Sequence, residues 1–200
     1  MQLTSVLSDS FVAVTALYAL KNSLKKKLEI HFLIKIIPFL LMAMAASVGV
    51  LHFSFFQNLE RLHEALSAIA SHVGMIFLFL LFYSSFIKPF QYSFYLLMVL
   101  SILSALSFYF DHTLPYSNML YTKITGTVAI VGIIVVCGSR TKKQKLAACI
   151  GITACLFSMI AGSFQEFKIT CGPLLSIDLF HYAFSVANVL WGISLAQIKN

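Results

Sequence analysis

Residues 173–197 read PLLSIDLFHYAFSVANVLWGISLAQ, an apolar stretch interrupted by a carboxylate, an imidazole and an amide. A helix rises ~1.5 Å per residue, so about 20 apolar residues cross a hydrocarbon core of roughly 30 Å. The stretch is long enough to span a bilayer. Within it Asp178, His181, Ser185 and Asn188 recur at i, i+3, i+7 and i+10, which is one stripe of a helix. A carboxylate stranded in hydrocarbon is costly, so this stripe has to face other helices or water. The segment therefore implies a bundle around it.

Six further apolar stretches supply that bundle, at about 3–20, 32–56, 64–87, 90–110, 118–138 and 146–164. With 60% hydrophobic residues, 10% charged and a mean hydropathy of +0.90, little is left for a water-soluble exterior. The reading is an all-α integral membrane protein. It is a seven-transmembrane-helix bundle forming one domain over residues 1–200, multi-pass in the cell membrane (the inner membrane in a bacterium). The first stretch is the most polar, since Asp9 and several Ser and Thr interrupt it. It does not read as a secretory signal peptide, because Met1-Gln2-Leu3-Thr4 offers no basic start. Connections are short, and no internal repeat is visible.

The net charge of +7 is placed unevenly. Lys21, Lys25, Lys26 and Lys27 follow the first span, Lys88 the third, Arg140, Lys142, Lys143 and Lys145 the fifth, and Lys199 the seventh. The alternate loops hold only Arg61, Lys123 and Lys168, beside Glu60, Glu64, Asp111 and Glu166. Basic loops stay in the cytoplasm, which puts the N-terminus outside and the C-terminus inside. The charge then marks topology and contacts with anionic lipid headgroups at Lys25, Lys26, Lys27, Arg140, Lys142 and Lys143, not nucleic-acid binding. Lys35, in the inner part of the second span, is expected to snorkel. Pro38 is expected to kink that helix and Pro173 to open the last one. Cys149 and Cys155 lie on different faces of the sixth span, and no disulfide framework is implied.

Measured from the outer ends of their spans, Asp9, His52, His72, Asp178 and His181 all fall in the outer half. A shared depth predicts a shared cavity. Small residues accompany them: Ser47 and Gly49 precede His52 in AASVGVLHF, and Ala65 and Ala68 share a face with His72. Imidazoles and carboxylates are the ligand types of zinc, which lowers the pKa of a bound water and polarises a carbonyl. His52, His72, Asp178 and His181 are thus the candidate metal ligands. Asp9, as proton acceptor, and Ser47 are the candidate catalytic residues. The chemistry expected is zinc-dependent hydrolysis of a lipid amide or ester.

Seven short-looped helices, an outside N-terminus, Ser47 followed closely by His52, and His181 on an inward stripe resemble the alkaline ceramidase and adiponectin-receptor-like superfamily. The resemblance covers the whole chain in layout and rests on few residues. It implies a zinc-dependent membrane amide hydrolase fold with metal ligands at His52 and His181. The family's last helix carries two His one turn apart, whereas Ile177 and Ser185 stand four residues either side of His181 here. Two other classes use the same residues. A proton-coupled transporter would relay protons through Asp9, Asp178 and the His residues. A haem-binding carrier would take axial His from His52, His72 or His181.

Overall fold

The helices form where the apolar stretches lie, and two of their ends depart from the hydropathy. The computed structural model describes residues 3–25, 32–87, 99, 120–140 and 142–198. Apart from Val99, the expected span at 90–110 lies outside the described residues, with Pro89, Asp111, His112 and Pro115, as do Lys26, Lys27, Glu29, His31, Lys88 and Lys199. The long helices are α1 (Leu3–Leu24), α2 (Phe32–Ser54), α3 (Gln57–Phe86), α4 (Leu120–Arg140), α5 (Lys145–Glu166) and α6 (Ser176–Gln197). All six are long and apolar enough to cross a membrane. The chain is an all-helical polytopic membrane protein. Leu7, Phe11 and Val14 on α1 and Val128, Val131 and Val135 on α4 point outward, where lipid would cover them.

The first departure is the start of α3. Hydropathy falls at Glu60, Arg61, His63 and Glu64, but the helix continues back to Gln57. The first α-helical part, Glu60–Ile69, is amphipathic, so its charged face can meet water while its other face packs. A π turn at Ala70–Gly74 joins it to Met75–Phe86. Thirty residues make a rod roughly 45 Å long. His72 therefore stands near its middle, not close to its end as the shorter span suggested. The second departure is Pro173, which does not open α6. It sits in a turn in which Leu174 N–H donates to Cys171 O at 3.0 Å. Gly172, at φ 57°, supplies the left-handed residue, and proline's fixed φ suits the position after it. Pro38 lies inside α2, and the helix runs through it unbroken.

The main helix contacts close a ring in which each helix packs on its chain neighbours and α6 packs on α1. Cross-links between helices give the directions. Ser23 Oγ donates to Lys35 O at 3.0 Å, while Asp9 meets Gly49, so α1 and α2 are antiparallel. His63 bonds Ala45 O and Gly74 lies beside Pro38, so α2 and α3 are antiparallel. Ser194 near the end of α6 donates to Ala147 O at the start of α5. By contrast α1 and α6 are parallel: Ser8 meets Asp178 and His181, and Ala19 meets Gly192. Following these directions round the ring makes α3 and α4 parallel as well. One end of the bundle then carries Lys21, Lys25, Lys35, Arg140, Lys142, Lys143 and Lys145. Every described acidic residue (Asp9, Glu60, Glu64, Glu166 and Asp178) lies toward the other end, where Lys123 pairs with Glu166 at 2.6 Å.

Small residues set the close approaches. The buried face of α5 is Ala147, Ala148, Gly151, Ala154, Cys155, Ser158 and Ala161, a seam against which α6 lies. Cys149 faces outward, as its spacing from Cys155 required. Trp191, Phe39, Phe82, Leu78 and Ile133 fill the interior without exposure. A Cβ on Gly192 would stand 2.8 Å from the Ala19 backbone, so the parallel α1–α6 pair depends on that glycine. Gly192→Ala is expected to destabilise the protein by about 1–3 kcal/mol through overpacking, read as a lower melting temperature in detergent. Gly162→Ala, with nothing within 4 Å of the new methyl, is expected to be neutral or slightly stabilising.

Candidate functional site

The buried face of α1 is unusual for a membrane helix: Ser5, Ser8, Asp9, Val12, Ala16, Ala19, Asn22 and Ser23. Small and polar residues let α6 lie close, and its own buried stripe brings Asp178, Ser185 and Asn188 to that contact. Where the two polar stripes meet, toward the acidic end, a cluster of four side chains forms.

His181 Nδ1–H donates to Asp9 Oδ1 at 3.0 Å, with the two side chains 12% and 1% exposed. The Ser8 hydroxyl stands 3.2 Å from the same Nδ1 and 3.2 Å from Asp178 Oδ1, and its third neighbour is Ser5 O at 3.1 Å. Ser8 has one proton to donate and lies between the Asp178 carboxylate and the His181 ring, which in turn holds Asp9. Both contacts fall on one nitrogen of His181. A Ser–His–carboxylate hydrolytic relay uses both, so the arrangement is no catalytic triad despite its composition. With Nδ1 committed to Asp9, Nε2 is the nitrogen left for proton exchange.

The two carboxylates differ. Asp178 sits in the first turn of α6, where the helix dipole favours a negative charge. Its Oδ2 accepts from Leu175 N–H at 3.0 Å and its Oδ1 faces Ser8, so both oxygens are engaged. Asp9 uses only Oδ1. Its Oδ2 is fully buried without a hydrogen-bond partner. That oxygen presses on the glycine face of α2, occupying the place a Cβ on Gly49 would need. The His63 ring reaches the same spot, with Cε1 2.8 Å from that Cβ position. His63 Nδ1–H donates to Ala45 O at 3.1 Å, and the ring stacks on His52 at 6.1 Å and 18°.

The structure brings Asp9, Asp178 and His181 together and leaves the other expected residues apart. Ser47 is exposed on the outside of α2, while Gly49, two residues on, faces in. The His52 ring packs on Phe53 and His63, with its Nδ1 buried and unpartnered. His72 is fully buried at the π turn of α3 and donates from Nδ1 to Ala68 O at 2.8 Å. It lies deeper than Asp9, because the rod begins at Gln57. The expected zinc donors His52, His72, Asp178 and His181 thus face different partners, and Asp178 has no free oxygen. No group of three His, Cys, Asp or Glu among the described residues is placed to hold a metal ion. The donor set does not fit zinc. Neither Ser185 nor Asn188 ties helices together: Ser185 donates to His181 O within its own helix, and the buried Asn188 amide has no partner on either atom.

Ser8 and His63 are the members that the sequence reading passed over. Ser8 was legible, since Ser5, Ser8, Val12 and Ala16 trace a small-residue stripe that also takes in Asp9. His63 was hidden because it sits among charges that read as a loop. The assembled features define a class: a polytopic membrane bundle with a buried carboxylate–imidazole cluster toward the end opposite its lysines. The chain belongs to DUF6962, a family of unknown function, whose family model matches residues 4–200 and so includes the whole cluster. No curated protein and no solved structure matches the chain.

Asp178 and its amide analogue separate capping from charge. Asp178→Ala is expected to cost about 1–2 kcal/mol of stability, the usual loss for a helix N-terminal cap. Asp178→Asn keeps an oxygen for the Leu175 N–H and is expected to lose less than half as much. Thermal unfolding in detergent compares the two.

Proposed function

We propose that this chain is a seven-span, proton-coupled membrane transporter that holds its proton at the Asp9–His181 pair, with its N-terminus outside and its C-terminus in the cytoplasm. The observation that carries the reading is the buried Asp9 carboxylate, with one oxygen on His181 and the other unpaired. A buried carboxylate with a free oxygen, beside an imidazole, is a group whose charge depends on whether a proton is present. The α6 stripe extends the polar surface inward to Asn188, whose unpartnered amide has donors and acceptors to offer water or a polar solute.

The seven-span count is supported by direction. α3 and α4 are parallel, so the chain between them has to return across the membrane, and its sequence holds the apolar stretch 90–110. The orientation is supported by the lysine-rich end, which the positive-inside rule assigns to the cytoplasm. Anionic lipid headgroups are the partners proposed there, at Lys25, Arg140, Lys142 and Lys143 and at Lys26 and Lys27. The resemblance to the ceramidase and adiponectin-receptor-like superfamily supports a seven-helix layout. Its hydrolytic chemistry is not carried over, since the zinc donors do not converge.

Three measurements test this reading. In intact cells, native Cys171, which is exposed in the α5–α6 connection, is expected to react with an impermeant thiol reagent. A cysteine at Lys142 is expected to react only after permeabilisation, and the opposite pattern would overturn the orientation. In infrared difference spectra taken on acidification, the purified protein is expected to gain a carboxylic-acid band that Asp9→Asn removes and His181→Ala displaces. Liposomes bearing the protein are expected to acidify internally when a transported polar solute is added outside, and those with Asp9→Asn are not. Identical acidification spectra for wild type and Asp9→Asn would sink the proton site.

A further inference from the structure

The proton site described above is sealed by its neighbours, and the route to it is open to assignment. Asp9 is 1% exposed, so a proton cannot reach it from bulk water directly. On α6 it faces His181, with Asp178 behind Ser8. On α2 it faces Gly49, which has no side chain, with His52 one turn further along. On α3 it faces His63. His63 is half-buried, whereas Glu64 beside it in sequence is exposed. His63 is thus the titratable group that connects the exposed end of α3 with the free oxygen of Asp9.

We infer that His63 is the proton relay between the outer surface and Asp9, and that Gly49 lets the two groups approach each other. This rests on Asp9 being the proton site. Three observations meet here. Asp9 Oδ2 is buried and unpartnered. The His63 edge turned toward it carries Cε1, and Nδ1 is held by Ala45 O, which leaves Nε2 for exchange. Gly49 is the contact point of both groups, and any side chain there would collide with both and push them apart. In the relay step, Nε2 of neutral His63 accepts a proton from water on the outer side, forming an imidazolium whose Nδ1–H stays on Ala45 O. The same proton then passes from Nε2 to Asp9 Oδ2 across the contact that the two groups share over Gly49. His63 returns to neutral imidazole and Asp9 becomes the neutral acid. The stacked His52 ring, with its own unpartnered Nδ1, walls the outer side of His63 and limits access to it.

The test is kinetic. A rapid pH drop is applied to wild-type protein in detergent, and growth of the Asp9 carboxylic-acid infrared band is timed. His63→Ala and His63→Gln are expected to slow that growth by about a hundredfold, the low side of what a positioned acid–base group contributes, while the final amplitude is unchanged. Free imidazole added to His63→Ala is expected to restore the rate, which a merely structural role would not allow. Gly49→Ala is expected to slow growth as well and to be insensitive to imidazole. Rates for both His63 variants within about twofold of wild type, or a slowed His63→Ala that imidazole leaves slow, would overturn the relay. A band that is absent in wild type or persists in Asp9→Asn would instead overturn the proton site itself, so the two failures are distinguishable.

Discussion

The bond from His181 Nδ1 to Asp9 Oδ1 is the constraint on which the arrangement turns. It joins the first described helix to the last and holds them parallel. Inside a bilayer neither partner can be hydrated, so each is acceptable only in the presence of the other. The rest of that seam is shaped to permit the contact. Ser8, Ala16 and Ala19 on α1 and Gly192 on α6 are small enough to bring the backbones together, and a larger residue at any of them would hold the carboxylate away from the ring. The polar pair and the small-residue packing are therefore one feature. The packing makes the bond short enough to compensate burial, and the bond fixes which faces the packing joins.

That seam also determines the topology. Helices that follow one another through short turns alternate in direction, and α4, α5 and α6 do so. A parallel α1–α6 pair is compatible with alternation only when an even number of turns separates them. The six described helices by themselves supply an odd number. The charge distribution agrees independently, since Lys21 of α1, Lys35 of α2, Arg140 of α4 and Lys145 of α5 gather at one end only when the directions are those of the ring. Two unrelated quantities, a hydrogen bond toward one end of the bundle and the placement of basic residues at the other, thus agree with the proposed count of seven.

Much of this was legible in the sequence because bilayer thickness imposes it. Span positions, the inward stripe Asp178–His181–Ser185–Asn188 and the depth of Asp9 follow from hydropathy and helical period. What was not legible depended on polar helix ends and on contacts between helices. Hydropathy cannot distinguish a charged loop from a charged helical turn at the interface, so α3 was begun too late. That single boundary moved His72 out of the cluster and hid His63, which belongs beside it. The expected zinc ligands are not brought together among the described residues for a related reason. Depth groups residues along the membrane normal, but coordination needs convergence in the plane as well. The faces of α2 bearing Ser47 and Gly49 point in opposite senses.

The contrast between Asp9 and Asp178 carries the argument from packing to function. Both are carboxylates buried near the same membrane face, and both contact or adjoin Ser8. Asp178 lies in a helix's first turn with a backbone N–H on one oxygen and a hydroxyl on the other, so its charge is compensated without outside help. Asp9 has one compensated oxygen and one that faces a glycine and the edge of an imidazole. An oxygen left bare in a low-dielectric interior is a standing cost unless something transient occupies it. A structural carboxylate would have been given a second donor, as Asp178 has. Asp9 was given a glycine instead, at the one point where a side chain on α2 would have shut His63 out. That asymmetry is what distinguishes Asp178, which anchors a helix, from Asp9, the proton site proposed above.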